Sequence, residues 1–367
     1  MRIPDYTKEE ILFEEAVSLL KELISEPSIS RDEGKTADLI EFYLLQAGCK
    51  VNRQGNNVWV QSGASHKRPL VLLNSHHDTV KPVKGYSRDP YKAMEEDGKL
   101  FGLGSNDAGA SLVCLMMIYL HLYPTDLAFD LVFLASAEEE ISGVNGVSSV
   151  LPVLGKIAGG IVGEPTQMKM AVAEKGLMVL DGAATGKSGH AARNEGENAI
   201  YKALRDIEVL KSISFVRESE LLGSIHVNVT LIEAGSQHNV VPDECKFVVD
   251  VRTTDAYSNQ ETLAQLKEEV SSELTPRSTR LQPSSLPKDH FIFKAGKSLN
   301  LETFGSSTLS DQALMDFPTC KMGPGDSSRS HSADEYVYLE EIRSGIRGYK
   351  DLLLSINQII TDDKALG

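Results

Sequence analysis

The sequence predicts an α/β protein, a mixed sheet covered by helices, with a smaller α+β domain inserted into it. Three observations lead there. At 367 residues the chain exceeds the roughly 250–300 residues over which a single hydrophobic core keeps growing. Strand and helix patterns alternate through the first hundred residues, as they do when helices cover both faces of a sheet. Around Ala173 the pattern changes to longer, half-polar strands in the order strand, helix, two strands, helix, which is the order of a ferredoxin-like α+β sandwich.

Taken in order, apolar residues at helical spacing predict amphipathic helices over Lys8–Ser25 and Asp32–Ala47. Extended runs follow at Asn57–Gln61 and Leu70–Asn74. A helical run covers Ala110–Leu122, the continuously apolar Leu131–Ala135 reads as a buried strand, and Ile161–Val162 reads as another. The inserted segment offers a strand at Gly176–Ala184, a helix at Ala199–Leu210, strands at His226–Ile232 and Cys245–Arg252, and a helix at Glu261–Leu274. The Pro-, Ser- and Thr-rich stretch Thr275–Asp289 reads as a linker. After it, short signals lead to a long amphipathic helix from Leu339 to about Ile359. The expected division is 1–173 with 287–367 for the larger domain and 174–286 for the insertion.

With 37 Lys and Arg against 52 Asp and Glu, the net charge is −15, which repels a polyphosphate backbone and excludes nucleic acid as an expected partner. The longest nearly continuous apolar run, Leu112–Leu120, falls short of the ~20 residues a membrane helix needs. The opening MRIPDYTKEE has no hydrophobic signal core, so a cytoplasmic location and no membrane partner are expected. Cys49, Cys114, Cys245 and Cys320 lack paired spacing, which gives neither a disulfide framework nor a thiolate cage. Any metal ligands must then be imidazole and carboxylate.

Several apolar strands end abruptly in such residues, and in open α/β sheets ligands gather beyond the carboxyl ends of the strands. Leu72-Leu73-Asn74 runs into Ser75-His76-His77-Asp78. Two residues apart, His76 and Asp78 share a face if the extended geometry persists, and a carboxylate beside a ligating imidazole fixes its tautomer. Gly102-Leu103-Gly104-Ser105-Asn106-Asp107-Ala108-Gly109 enters a helix without the GxGxxG spacing of a phosphate loop. Asp107 reads either as a helix N-cap or as a ligand. Leu131–Ala135 runs into Glu138-Glu139-Glu140, either a solvated acidic turn or a site where cations offset like charges. Gly163-Glu164-Pro165-Thr166 and Ser330-His331-Ser332-Ala333-Asp334-Glu335 repeat the choice between loop and ligand.

The ordered series SHHDTV, GLGSNDAG, AEEE, GEPT and SHSADE resembles the metal-site motifs of the M20 metallopeptidase family, across nearly the whole chain. That family includes acetylornithine deacetylase, succinyl-diaminopimelate desuccinylase, aminoacylases and carboxypeptidases. The resemblance implies a catalytic domain with two zinc ions per chain, Co²⁺ or Mn²⁺ being possible substitutes. It implies that His76, Asp107 and Glu164 hold one cation and Asp107, Glu140 and His331 the other. Glu139 is then the general base and Asp78 the partner of His76. The register Glu139/Glu140 is preferred over Glu138/Glu139 because Ile141-Ser142-Gly143 follows as in relatives. In place of the bulkier residue and lysine of many members, Ala108-Gly109-Ala110 follows Asp107.

The same resemblance makes the insertion a lid and dimerisation domain, and so implies a homodimer. Gly186–Ala191 resembles a stretch whose histidine, here His190, stabilises the oxyanion. Asn239 and Arg252 resemble substrate contacts, the latter a bidentate clamp on a carboxylate. From the residues alone His190 could equally cap a turn and Arg252 pair with Asp250 or Asp255. His77 points opposite to His76 if the strand is regular, His66, His121, His226 and His290 read as surface or packing residues, and His238, beside Asn239, is the further histidine of interest. The expected reaction is hydrolysis of the amide of a small N-acyl-L-amino acid, with N-acetyl- or N-succinyl-L-ornithine in arginine biosynthesis as the foremost substrate. The alternatives are a desuccinylase, aminoacylase or carboxypeptidase of the same family, or a catalytically silent binding homologue.

Overall fold

A computed structural model describes residues 4–63, 68–193 and 195–366; His66 lies outside them. The chain divides into two compact units. One comprises Met1–Val172, Leu286–Phe304 and Ser310–Gly367, the other Ala173–Ser285 and Gly305–Leu309.

The largest sheet includes β1 (Val51–Gln54), β2 (Asn57–Gln61), β3 (Leu70–His76), β4 (Asp130–Ser136), β5 (Gly159–Val162), β6 (Met170–Glu174) and a late strand, Thr319–Lys321. They lie in the order β1-β2-β4-β3-β5, then Thr319–Lys321, then β6. β3 runs parallel to β4 and β5, and Thr319–Lys321 runs parallel to β5, while β1, β2 and β6 pair antiparallel. The sheet is mixed, and its four parallel strands end at one edge.

Alternation along the central strands explains why they read as unbroken apolar runs. Val71 and Leu73 of β3, with Leu131, Phe133 and Ala135 of β4, enter one core, and Leu70, Leu72, Val132 and Leu134 enter the opposite one. Each buried side chain of this size contributes ~1.5–3 kcal/mol. The first core is shared with α1 (Glu9–Ser25), α2 (Gly34–Gln46), α3 (Ala110–Leu122) and the long helix Leu339–Leu366; the second is closed by α4 (Val147–Leu154). Every residue of α3 but His121 is buried, consistent with a helix that is apolar all round. Cys114 lies inside it, and all four cysteines are free and buried. Among the described residues no helix is long and apolar enough to cross a membrane.

In the second unit β7 (Gly176–Thr185), β8 (His226–Ala234), β9 (Glu244–Thr253) and β10 (Glu273–Pro276) form an antiparallel sheet in the order β8-β9-β7-β10, with α5 (Ala199–Ser212) and α6 (Asn259–Glu269). This is the ferredoxin-like arrangement. Alternate residues of β7 and β9, including Met178, Leu180, Phe247, Val249 and Val251, pack with Ala203, Leu210 and Leu266.

Two sequence expectations are corrected here. The helix expected to reach Leu274 stops at Glu269, because Val270 turns extended and the backbone N–H groups of Ser271 and Ser272 donate to the Asp206 carboxylate at 3.2 and 2.7 Å. Leu274 then enters a fourth strand opposite Gly182. The Thr275–Asp289 stretch is not a slack linker: Thr275 and Pro276 complete β10, and Arg277 pairs with Asp181 at 2.8 Å. Its composition registers turns, whereas its anchoring comes from a sheet edge distant in sequence.

Candidate metal centre

Four segments of the first unit leave the sheet at its carboxyl edge carrying polar side chains. β3 ends at His76, in register with Ser136, which closes β4 two residues before Glu138. β5 ends at Val162, two residues before Glu164, and Val162 is also in register with Lys321. Strand direction and register thereby bring residues more than a hundred positions apart to one edge.

His76 and Asp78 are each 1% exposed, so this strand end is no solvated polar loop. The imidazole Nε2 of His76 lies 3.4 Å from Asp107 Oδ1, 3.7 Å from Glu164 Oε1 and 3.9 Å from Glu139 Oε2. His331 Nε2 lies 2.9 Å from Glu140 Oε2 and 3.6 Å from Asp107 Oδ2. The two oxygens of Asp107 therefore face two different imidazoles. Ligand-type atoms of His76, Glu139 and Glu164 lie within 4.8 Å of one another, as do those of His76, Asp107 and Glu140.

Asp107 is not the helix N-cap that its position before α3 allowed. That place belongs to Gly109, without a side-chain cap, and Asp107 has extended dihedrals (φ −117°, ψ 98°) inside an irregular turn over Ser105–Gly109. Two glycines shape the turn. Gly104 sits at φ +76°, where a Cβ would also lie 2.7 Å from the Thr79 methyl, and a Cβ on Gly109 would meet the Gly104 carbonyl at 2.4 Å.

The acidic run is no freely solvated turn either: Glu138 is buried, and Glu139 and Glu140 are partly buried. Glu138, in the left-handed region at φ +55°, turns its carboxylate to the Asn145 backbone N–H at 3.3 Å and side-chain amide at 3.0 Å. Glu139 and Glu140 are left to face the histidines. Their own backbone N–H groups donate to the Asp78 carboxylate at 3.0 and 3.2 Å, and Ser30 Oγ donates to it at 2.7 Å. His76 Nδ1 meets the Asp78 backbone carbonyl at 2.9 Å, closer than its carboxylate at 3.4 Å. Asp78 thus fixes the imidazole chiefly through its carbonyl, because its carboxylate is committed to the Glu139–Glu140 turn.

Crowding of acids in a buried place sets the electrostatics. Burial pushes Glu164 up to about 8, and burial with neighbouring Glu164, Asp311 and Glu140 outweighs His76 to raise Glu139 well above the carboxylate range. Asp311, 2% exposed and bonded to Ser136 Oγ at 2.6 Å, is pushed by burial up to about 6. Burial works against a charge on His76, yet the surrounding carboxylates hold its pKa well above the ordinary value. The Glu140 hydrogen bond lifts His331 to about 9. Carboxylate oxygens gathered around imidazole nitrogens are the donor set that zinc-like divalent cations accept, and the residues fit such a cation.

The sequence reading passed over Glu335, Asp311 and Ser30. Glu335 stood inside a quoted motif, but nothing local distinguished it; Asp311 follows no strand end, and Ser30 sits in a loop far from Asp78 in sequence. His77 takes no part. Its ring bridges Thr36 Oγ1 at 2.8 Å and the Asn56 carbonyl at 2.9 Å, and burial lowers it to about 4.

The remaining candidates belong to the second unit. His190 is exposed and accepts the Ala192 N–H at 3.2 Å, capping its own turn. His190 and Val240 are paired residues of a short antiparallel ladder, and the Asn239 carbonyl accepts the Ala191 N–H, so GKSGHA and NVVP do meet. Arg252 grips Asp250 at 2.8 and 3.2 Å. His238 and His226 are exposed, whereas His290 reaches the Ala158 carbonyl at 2.9 Å and His121 the Tyr6 carbonyl at 2.8 Å.

Residues 72–355 match Peptidase family M20/M25/M40. The chain is 27% identical over 310 residues to an acetylornithine deacetylase of Myxococcus xanthus, covering 78% of this chain and 80% of that protein. It is 29% identical over 275 residues to a succinyl-diaminopimelate desuccinylase of Cereibacter sphaeroides, covering 69% and 72%. In fold it is similar to a dinuclear metal binding peptidase of the M20 family from Bacillus subtilis, with a TM-score of 0.73 and 15% identity over 95% of this chain and 99% of that one.

Proposed function

The chain belongs to peptidase family M20/M25/M40, a family of metal-dependent hydrolases, and on that premise we propose that it is a two-metal amidohydrolase acting on small N-acyl-L-amino acids. The observation that carries the reading is the placement of Asp107, one oxygen toward His76 and the other toward His331. His76, Asp107 and Glu164 would hold one cation, and Asp107, Glu140 and His331 the other. When bound, such cations lower the pKa of water to roughly 7 and polarise an acyl carbonyl.

Glu139 lies beside this set without being needed as a ligand. Its carboxylate takes the proton of the attacking water and returns it to the nitrogen of the departing amine. Asp78 keeps Glu139 in place through its backbone N–H. In the second unit His190 would donate to the developing oxyanion, with Asn239 as a further contact. Arg252 would exchange Asp250 for the substrate carboxylate. The exposed Leu231 and Ile232 on edge strand β8 support association of two copies through this unit.

Within the hydrolases, N-acetyl- or N-succinyl-L-ornithine is the substrate we favour, supported by the Myxococcus relative; the Cereibacter relative supports the desuccinylase alternative. A substrate panel of acetyl-ornithine, succinyl-ornithine, succinyl-diaminopimelate and other acyl-amino acids separates them, run beside elemental analysis of bound metal. A Glu139→Gln variant should retain its metal and lose turnover by several orders of magnitude. Undiminished turnover would refute the base assignment, and wild-type protein inert on every member of the panel would favour a silent binding homologue.

A further inference from the structure

Glu335 is 2% exposed, and its carboxylate is turned to the backbone of the Asp107 turn. Oε1 accepts the backbone N–H groups of Asn106 and Asp107, each at 2.9 Å, and Oε2 accepts that of Gly104 at 3.2 Å. The Glu335 backbone carbonyl accepts a fourth N–H, from Gly102 at 3.0 Å. The turn before α3 is irregular and cannot satisfy these donors from within; a buried N–H left unmet would cost about 1–3 kcal/mol. A carboxylate, with about four lone-pair sites on two oxygens, can accept all three. An amide cannot, since one of its two heads is itself a donor.

The cost of this arrangement is a second acid beside Asp107. A neutral cap would avoid it, so the use of Glu is informative. Glu335 also lies four residues after His331, on a segment tied to the same turn by Asn106 Nδ2, which donates to Ser330 Oγ at 3.3 Å and to the Asp326 carbonyl at 3.1 Å. One segment therefore carries His331 and clamps the backbone from which Asp107 projects. With Ala108-Gly109-Ala110 after Asp107, the turn has no long side chain of its own at those positions to brace it.

We infer that Glu335 is a positioning residue of the metal centre: by taking the N–H groups of Gly104, Asn106 and Asp107, it orients the Asp107 carboxylate toward both His76 and His331. This rests on the two-metal reading above. Glu335 need not touch substrate or cation.

The test is titration of Zn²⁺ into metal-free full-length protein against a chromophoric chelator, with thermal unfolding of the same metal-free samples alongside. Wild type should bind two equivalents. Glu335→Gln should raise the dissociation constant of at least the weaker cation by about 10–100-fold, as loss of a group that orients a ligating carboxylate does. Asp334→Asn is the control for general loosening. It sits on the same segment but serves Ser87 and Arg88 instead of the Asp107 turn, and should leave zinc affinity near wild type. Glu335→Asp keeps the charge but withdraws the oxygens by one methylene. It should show a smaller rise, and it carries the test if the Gln variant does not fold. Wild-type zinc affinity in the Glu335 variants, or an equal loss in Asp334→Asn, overturns the role of Glu335. Wild-type protein that binds fewer than two equivalents instead overturns the metal-centre reading on which it stands.

Discussion

Replacing Asp78 by Asn separates the one duty that the sequence assigned to its carboxylate, fixing His76, from the one that the structure gives it, anchoring the Glu139–Glu140 turn. In the structure the carboxylate accepts the N–H groups of Glu139 and Glu140 on its two oxygens, while His76 Nδ1 has the Asp78 backbone carbonyl at 2.9 Å. Asn keeps the carbonyl but turns one of the two side-chain oxygens into an NH₂ group facing a buried N–H. Ser30 can rotate its hydroxyl to adapt, but the backbone donor cannot. The lost charged hydrogen bond is worth about 1.5–3 kcal/mol and the unmet donor costs about 1–3 kcal/mol, overlapping terms that sum to about 3–4 kcal/mol. At roughly 2–4 °C per kcal/mol for a unit of this size, the thermal midpoint should fall by about 6–15 °C. Turnover should fall with it, about 10–100-fold, because the turn that carries Glu139 and Glu140 loses one of its two backbone anchors. Zinc affinity should fall less than turnover, because the acceptor nearest to His76 Nδ1 survives. Calorimetry and zinc titration on the same preparation read both effects. Collapsed zinc affinity with an unchanged midpoint would refute the reasoning and return the carboxylate to His76.

Two further predictions concern pH and metal. His77 is depressed to about 4 from an ordinary 6.5. Its contribution is fully present above pH 6.5 and declines as pH falls toward 4, because the unfolded chain binds a proton that the folded ring refuses. The shift corresponds to roughly 3 kcal/mol, so His77→Gln should flatten the denaturant-measured stability curve between those pH values, and an unchanged slope there would contradict it. Chelation of the divalent cations should abolish turnover and lower the thermal midpoint, both restored by added Zn²⁺. At free zinc a thousandfold above its dissociation constant the stabilisation lost is about 4 kcal/mol per site, and a midpoint indifferent to chelator would argue against cations held by these side chains.

Much of the architecture could be read from the chain because it rests on local periodicity. The Leu131–Ala135 run is apolar throughout since its neighbours alternate between two cores, and α3 is apolar all round since nothing of it but His121 escapes burial. Strand ends carrying His76, Glu139 and Glu164 stood out for the same reason, an apolar stretch breaking into ligand-type residues. What misled was composition without partners. The serines after Glu269 and the Pro-rich stretch beyond look like helix end and linker, and only Asp206 and the exposed edge of β7 turn them into an anchored strand.

The sequence by itself determined which residue types stand at the carboxyl edge of the sheet, because hydrophobic patterning is set by neighbours a few positions away. Tertiary structure decided which acids face the imidazoles and which serve the backbone. Glu138 turns to Asn145 while Glu139 and Glu140 face inward, Asp78 offers its carbonyl to His76, and Glu335 reaches a turn 228 residues distant. The physical reason is that a buried carboxylate takes its role from the donors packed around it, and those donors arrive from segments that share no local pattern with it.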